Sequence, residues 1–482
     1  IIYKNNACTK LFKLGDLFPV VTQNPSNASQ MPSPSTLSSI VETCCSMAQF
    51  QQIHAYSITS NLIANRVLLA KLFQFVSFSS SSNLLYAHRM FDQMPHRDTF
   101  FFNTLIRGYA QCSYPSHSIT LFNFMRASSI NPDEFTFNFL LKSQFRSLTT
   151  DPEEIHGIIT KLGFHSHLFV QNSLIHLYAA RGRPIEARKA FGETVKPDSI
   201  SWSGLVRAHA KAGQIDIARR VFNAMPEKDV VSFTVMITAY SRRYPNEALD
   251  LFLEMADAGL PPDEITLISV LSACKICGNL EVGMNIHRYI EVNNLKKTKS
   301  LNNAVIDFYA KCGFLEKAYE VFSSMKTKNT ITWNIMISAF AEYGDLNAAY
   351  WLFREMIKAG KLPDSYTLLG LLRGHANRGL VQESFDLFYN IRREFKVEAT
   401  IEHYGCLVSI LCQSQRVEDA YKLAAEMPFE ANESIWRTIL KAARNAGYVD
   451  FEEDILKRLL VIQPDDQTYL SLLHDIYCIK SN

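Results

Sequence analysis

Residues 330–364 read TITWNIMISAFAEYGDLNAAYWLFREMIKAGKLPD, and this stretch decides the fold. Met336, Ile337, Phe340 and Ala341 place one apolar stripe at helical spacing. Ala349, Leu352, Phe353 and Met356 follow i, i+3, i+4, i+7 and place a second. Between them, Gly344 suits a left-handed helix end and Asp345 suits a cap on the helix that follows. Gly360 closes that second helix, and Pro363 blocks its continuation. Two helices this short cannot bury both stripes against each other. The stretch predicts neighbours of its own kind.

The rest of the chain supplies them. The second-helix pattern Ala-x-x-x-Phe-x-x-Met recurs at Ala87/Phe91/Met94, Ala218/Phe222/Met225, Ala248/Phe252/Met255 and Ala318/Phe322/Met325, with weaker copies centred on Phe122, Phe191 and Phe388. The first-helix pattern recurs as Asn103-Thr-Leu-Ile-Arg-Gly-Tyr109, Asn172-Ser-Leu-Ile-His-Leu-Tyr178 and Asn303-Ala-Val-Ile-Asp-Phe-Tyr309. Cutting at each return gives segments 99–133, 134–167, 168–198, 199–229, 230–263, 264–298, 299–329, 330–364, 365–400 and 401–432. Three lengths alternate: a standard unit, a long unit with a degenerate second helix (134, 264 and 365 onward), and a short unit. Within the degenerate N-terminal region 36–98, about 36–65 reads as one degenerate copy and 66–98 as one short copy, with Ser77 to Ser82 as a loop insertion in the latter. The expected fold is all-α, an α-solenoid whose helix-turn-helix repeats wind into a right-handed superhelix with the first helices on its concave face.

Composition agrees with a repeat array. A chain of 482 residues exceeds one ordinary core, and 47% hydrophobic with 20% charged residues is globular. No apolar run of membrane-spanning length occurs, so no membrane insertion is expected. The net charge of +2 is low for a protein that mainly neutralises phosphates, so any nucleic-acid binding would rest on stacking, base edges or a local basic groove. Ten scattered cysteines without a disulfide framework point to a reducing compartment. Residues 1–35 hold Asp16 against Lys4, Lys10 and Lys13 and are rich in Ser, Pro and Asn near 24–35, which reads as a partial transit peptide or disordered leader. The chain opens on Ile1, and Met31 is a candidate start.

These features together resemble the plant pentatricopeptide repeat (PPR) family, in its subclass of alternating standard, long and short repeats. The resemblance covers about 36–482. Its specific marks are an aromatic-Asn pair in the first helix, the terminal Pro-Asp of 132–133, 262–263 and 363–364, and the triplet of lengths. Ile401-Glu-His-Tyr404, Glu426-Met-Pro-Phe-Glu430, Ile435-Trp436 and Gln463-Pro-Asp-Asp466 look like the last short repeat running into the family's C-terminal E-type extension. The implied domains are degenerate repeats at 36–98, the array at 99–432 and a truncated extension at 433–482 without a DYW domain. The implied function is a sequence-specific single-stranded RNA-binding factor that selects cytidines for C-to-U editing in an organelle, with a mitochondrion slightly favoured over a chloroplast. The implied partners are a DYW-type deaminase acting in trans, docked on the extension, and multiple organellar RNA editing factor proteins.

The resemblance also implies one base per repeat, read by the fifth residue and the last, with the second residue packing on the base face. An Asn amide matches uracil because it carries both a donor and an acceptor. Asn103/Asp133 and Asn334/Asp364 are then expected to read U, and Asn172/Asp198 to read U or C. Ser203/Asp229 and Thr234/Asp263 are expected to read G, and Asn303/Asn329 to read C. The packing residues are Phe100, Phe169, Ile200, Val231 and Ile331, with polar Ser300 breaking the series. Asn138/His167, Ile268/Thr298, Leu369/Thr400 and Gly405/Asn432 give no clean reading. From the repeat at 99 the expected footprint is 5′-U-N-Y-G-G-N-C-U-N-N. The same polar residues are also good helix caps and turn formers, and the sequence leaves that simpler reading standing.

No catalytic constellation emerges. None of the thirteen histidines opens His-x-Glu, and Cys274-Lys-Ile-Cys277 lacks the preceding proline of a zinc deaminase. With no catalytic residue, metal or cofactor assigned, the chain reads as a non-enzyme. The rival readings are an organellar RNA stability or processing factor, a protein-binding helical scaffold, and a fragment of an enzyme.

Overall fold

A polar side chain starts most of the first helices, Leu168–Ala180 after His167 being an exception. Asp98 accepts from the N–H of Phe101, Asp133 from Thr136, Asp198 from Ser201, Asp263 from Thr266 and Asp364 from Thr367. Such caps satisfy otherwise orphaned N–H groups and contribute about 1 kcal/mol each. At the other end, Gly344 adopts φ +88° just past its helix, and Asp345 caps the next by accepting from Ala348 N at 3.0 Å. Sequence punctuation thus sets the helix-turn-helix rhythm.

The computed structural model describes residues 33–44, 46–79, 83–112, 114–145 and 151–481. Among them are 27 α-helices, two short 3₁₀ turns and no strand. The chain divides into two compact units, Ile1–Lys228 and Asp229–Asn482. In each, a first helix packs on the second helix of its own repeat and on the first helix of the next, as in an α-solenoid. In the second unit, for example, Thr330–Glu342 lies between Lys299–Lys311 and Ser365–Arg378 and pairs with Leu346–Lys358.

This arrangement explains the recurrent aromatics. The second-helix Phe of one repeat meets the aromatic at the fourth position of the next. Phe91–Phe102, Phe122–Phe137 and Phe191–Trp202 form such pairs in the first unit, with ring centroids 4.8, 5.7 and 4.7 Å apart. Phe322–Trp333 and Phe388–Tyr404 do so in the second, at 5.0 and 5.4 Å. Edge-on pairs of this kind add about 0.5–1.5 kcal/mol beyond burial. In each aromatic-Asn pair, the aromatic therefore belongs to the core.

A further link was not anticipated. His88–Tyr109 and His156–Tyr178 hydrogen-bond at 2.7 and 2.9 Å in the first unit, and His287–Tyr309 at 3.0 Å in the second. Each joins a second helix to the first helix of the following repeat. His287 is thereby committed to Tyr309.

Two sequence expectations change. The helix Arg66–Ser79 runs through Ser77 and Phe78, so the expected loop does not begin at Ser77; positions 80–82 lie outside the described residues. Ser33 caps a helix that begins at Pro34, because its side chain accepts from Thr36 N while Pro34 pre-sets the first turn. The last residues of the expected leader are therefore helical, and positions 1–32 lie outside the described residues.

Candidate nucleic-acid interface

The fifth residue of a repeat, its last residue and the third residue of the next first helix meet in one hydrogen-bonded triad. In the second unit, Asn334 Nδ2 donates to Asp364 Oδ1 at 2.8 Å, and the Thr367 hydroxyl donates to Asn334 Oδ1 at 2.6 Å. Asn303 makes the same contacts with Asn329 at 3.4 Å and Thr332 at 2.8 Å. Thr234 lies 2.6 Å from the Thr266 hydroxyl and 3.4 Å from Asp263 Oδ1. In the first unit, Asn103 bonds Asp133 at 2.8 Å and Thr136 at 2.6 Å, while Asn172 bonds Asp198 at 3.1 Å and Ser201 at 2.5 Å.

The simpler reading and the functional one are therefore compatible. The terminal Asp is a cap, and the same carboxylate oxygen orients the amide. An Asn side chain has two N–H donors and two carbonyl lone pairs. The triad uses one of each, which leaves a fixed donor–acceptor pair. Burial alone would raise the Asp198 carboxyl, but the N–H and hydroxyl of Ser201 and the Asn172 amide hold it below the usual carboxylate range. It is anionic at neutral pH.

The Ser203 hydroxyl donates back to the Ser199 carbonyl at 2.7 Å, and Asp229 caps its own helix through Ser232 N at 2.8 Å.

The second-position side chains are apolar and largely exposed. Phe169 and Ile200 in the first unit and Val231 and Ile331 in the second stand out from their helices, while Phe100 is half-buried. Ser300 is exposed as well, without an apolar surface. Exposed Phe135, Ile265 and Tyr366 occupy the same position in the long repeats and were missed in the sequence reading. The exposed apolar groups thus recur at one register of the first helices.

The best-formed cradle surrounds Asn334. A cleft of about 440 Å³ has Asn334 on its wall, Ile331 and Tyr366 beside it, and Lys311, Glu342 and Arg373 at its margin. Tyr366 is 69% exposed and Ile331 58%, so both present free apolar surface to a planar guest. Lys311 and Arg373 share Glu342, which accounts for a modest local charge.

Long repeats depart from the triad for a visible reason. Asn138 is fully buried and accepts from the Ser173 hydroxyl at 2.8 Å instead. The third positions that follow long repeats are Val170, Leu301 and His403, none of which supplies an aliphatic hydroxyl. Those that follow readable repeats are Thr136, Ser201, Ser232, Thr266, Thr332 and Thr367. This alternation was present in the sequence as a Thr or Ser three residues after Asp133, Asp198, Asp229, Asp263, Asn329 and Asp364, whereas Asp98 and Asn432 are followed by Phe101 and Ile435.

Among the described residues, no three His, Cys, Asp or Glu side chains converge as metal ligands. Burial pushes the Cys274 thiol up to about 12, which suits packing rather than reactivity, and Cys277 is exposed. No described helix is long and apolar enough to cross a membrane.

Comparison with known proteins agrees with the repeat reading. The PPR repeat family model matches residues 97–145, 228–275 and 328–377, and a PPR repeat model matches 172–196, 200–230 and 303–330. A pentatricopeptide repeat-containing protein of Arabidopsis thaliana is 33% identical over 434 residues, covering 89% of this chain and 82% of its own length. Another from the same plant, named as chloroplastic, is 32% identical and covers 91% of this chain and 68% of its own. The crystal structure of the maize pentatricopeptide repeat protein PPR10 has a TM-score of 0.59 at 16% identity, covering 95% of this chain and 73% of that one. PPR10 in complex with an 18-nt psaJ RNA element has a TM-score of 0.56 at 15% identity, covering 86% and 70%. With its helical hairpins, its recurrent motifs and these relatives in agreement, the chain belongs to the pentatricopeptide repeat family.

Proposed function

We propose that the protein binds single-stranded RNA in an organelle and selects cytidines for conversion to uridine by a separate deaminase. The observation that carries the reading is the Asn334 cradle, where a fixed amide edge stands between two exposed apolar faces. A pyrimidine can hydrogen-bond that edge while its ring packs on Tyr366, and stacking of this kind contributes about 1–3 kcal/mol per base. The solved complex of maize PPR10 with an RNA element supports the ligand class. The chloroplastic relative supports an organelle.

Within this reading, the repeats form the alternating subclass, and residues 433–482 are an E-type extension that brings a DYW-type deaminase to the RNA. The base-reading pairs are those given by the sequence, from Asn103/Asp133 to Asn334/Asp364, and the footprint is U-N-Y-G-G-N-C-U-N-N.

A gel-shift series with single-base changes tests RNA recognition. Replacing either G by a pyrimidine should weaken binding, and unchanged affinity would show the register to be wrong. Editing is tested separately, by sequencing organellar transcripts from plants lacking the gene. Loss of conversion at cytidines downstream of this footprint is expected. Full editing with altered transcript abundance would instead favour an RNA-stability role.

A further inference from the structure

The C-terminal helices carry a cleft unlike the one at Asn334. It encloses about 910 Å³ between Glu433–Ala446 and Gln467–Ser481. Arg437, Lys441 and Arg444 line it from one helix, at a spacing that puts all three on one face. All three are exposed.

The chemistry changes in register with the repeats. Counting from Glu433, Arg437 holds the fifth position, where Asn334 stands in its own repeat. Ser434 and Thr468 hold the second positions, where Ile331 and Tyr366 stand. The third position after this unit is Tyr469, whose hydroxyl donates to Glu433 Oε1 at 3.0 Å. Gln463 Nε2 donates to the other carboxylate oxygen at 2.8 Å, and Arg437 approaches Glu433 at 3.3 Å. The Asn triad is thus replaced by a hydrogen-bonded carboxylate paired with an exposed guanidinium.

Such a cleft has no apolar wall at its second positions to stack on a base. Beside Glu433, Leu440 and Leu472, it offers donors: the hydroxyls of Ser434, Thr438 and Thr468, a guanidinium with most of its N–H groups uncommitted, a lysine and a second arginine paired with Glu452 only at 3.9 Å. The guanidinium and ammonium groups, which only donate, match phosphate oxygens, and the hydroxyls can donate to them as well. Three cations stand against one carboxylate, Glu433, in the lining, and this excess of positive charge favours an RNA backbone.

We infer that the cleft formed by Ser434, Arg437, Lys441, Arg444 and Thr468 binds the phosphodiester backbone of RNA 3′ of the base-read footprint. The inference rests on the RNA-binding reading above. The array would then hand the strand from base recognition to backbone clamping, which fixes the path of the nucleotides that follow.

The test uses the full chain and two labelled RNAs, the ten-nucleotide footprint alone and the same RNA with a 3′ tail of four uridines. The wild type should bind the tailed RNA about tenfold more tightly at low salt. Its slope of log affinity against log salt should be steeper by about 2, at about 0.7 per phosphate contact on a single strand. The combined variant Arg437→Gln, Lys441→Gln, Arg444→Gln should lose both gains yet bind the untailed footprint like wild type. Lys441→Gln alone, at an exposed side chain, should reduce the slope by about 0.7, and Lys441→Arg should retain it.

No gain from the tail in a wild type that binds the footprint overturns the inference. So does a combined variant that keeps the gain, including one that instead loses binding to a deaminase, which would assign the cleft to protein. Failure of the wild type to bind either RNA would instead remove the RNA-binding reading itself.

Discussion

Asn334 Nδ2 and Asp364 Oδ1 stand 2.8 Å apart across 30 residues of sequence, and the same oxygen accepts from the N–H of Thr367 at 3.0 Å. One carboxylate atom therefore starts a helix and aims an amide. Its two tasks can be separated by mutation.

Asn334→Ala removes the aimed edge but leaves the cap. Binding to the footprint should weaken by about tenfold, near 1.4 kcal/mol, as one good polar contact is lost. Competition gel shifts should show selectivity relaxed at one base only, with the melting temperature little changed.

Thr367→Val removes the hydroxyl that holds Asn334 Oδ1 while keeping the side-chain shape. The Asp364 cap survives through the Thr367 N–H. Discrimination between U and C at that position should fall, while overall affinity falls less than in Asn334→Ala. Undiminished discrimination would show that Asp364 alone orients the amide.

Tyr366→Ala strips one apolar face from the cradle. Affinity should drop by about tenfold, the low end to middle of the stacking range, without a change in which base is preferred. Tyr366→Phe should bind like wild type. Filter binding across a set of single-base variants separates these outcomes.

Gly283→Ala addresses the core. A Cβ there would lie 2.0 Å from Phe308 Cζ and 2.3 Å from Cε2, and the Phe308 ring is fully buried. Neither a buried ring nor its helix can yield cheaply. The cost should be about 1–3 kcal/mol, read as a lower melting temperature, with base preference intact.

Stability should also fall in mild acid. Burial lowers His54, His176, His287 and His403 below the ordinary 6.5. The unfolded chain then binds more protons than the folded one as pH drops below 6.5, so unfolding becomes easier. The stability contributed by keeping these rings neutral is present above that value and is lost as pH falls through their lower folded values. Thermal melts should be flat between pH 7 and 8 and shift downward as pH falls below 6.5. A flat profile throughout would mean that these rings titrate as freely in the fold as outside it.

Much of the fold was readable because punctuation recurs. Gly344, Asp345 and Gly360 each constrain the backbone locally, and repetition of the same stripes names the neighbours. The reading pairs were readable only as positions. That Asn334 bonds Asp364 needs the stacking of two repeats, which spacing alone does not give. Tyr366 was missed because its repeat had no clear fifth-position reader, although its own exposure is a matter of the second position. The His287–Tyr309 bond escaped notice for a similar reason, since it joins two helices of different repeats. Ser77 was misplaced because a serine run suggests a loop, whereas its buried side chain sits in a helix packed on the next repeat.

The triads have a consequence for how such chains can be rearranged. No repeat owns its recognition chemistry outright, because the amide, the carboxylate and the hydroxyl come from two consecutive hairpins. On the proposed base-reading, a transplanted hairpin should keep its specificity only when the hairpin after it begins with the matching hydroxyl. The grammar of exchange therefore lies in the joints: Thr136, Ser201, Thr266, Thr332 and Thr367 are compatible endings for a neighbour's sentence, while Val170, Leu301 and His403 are not.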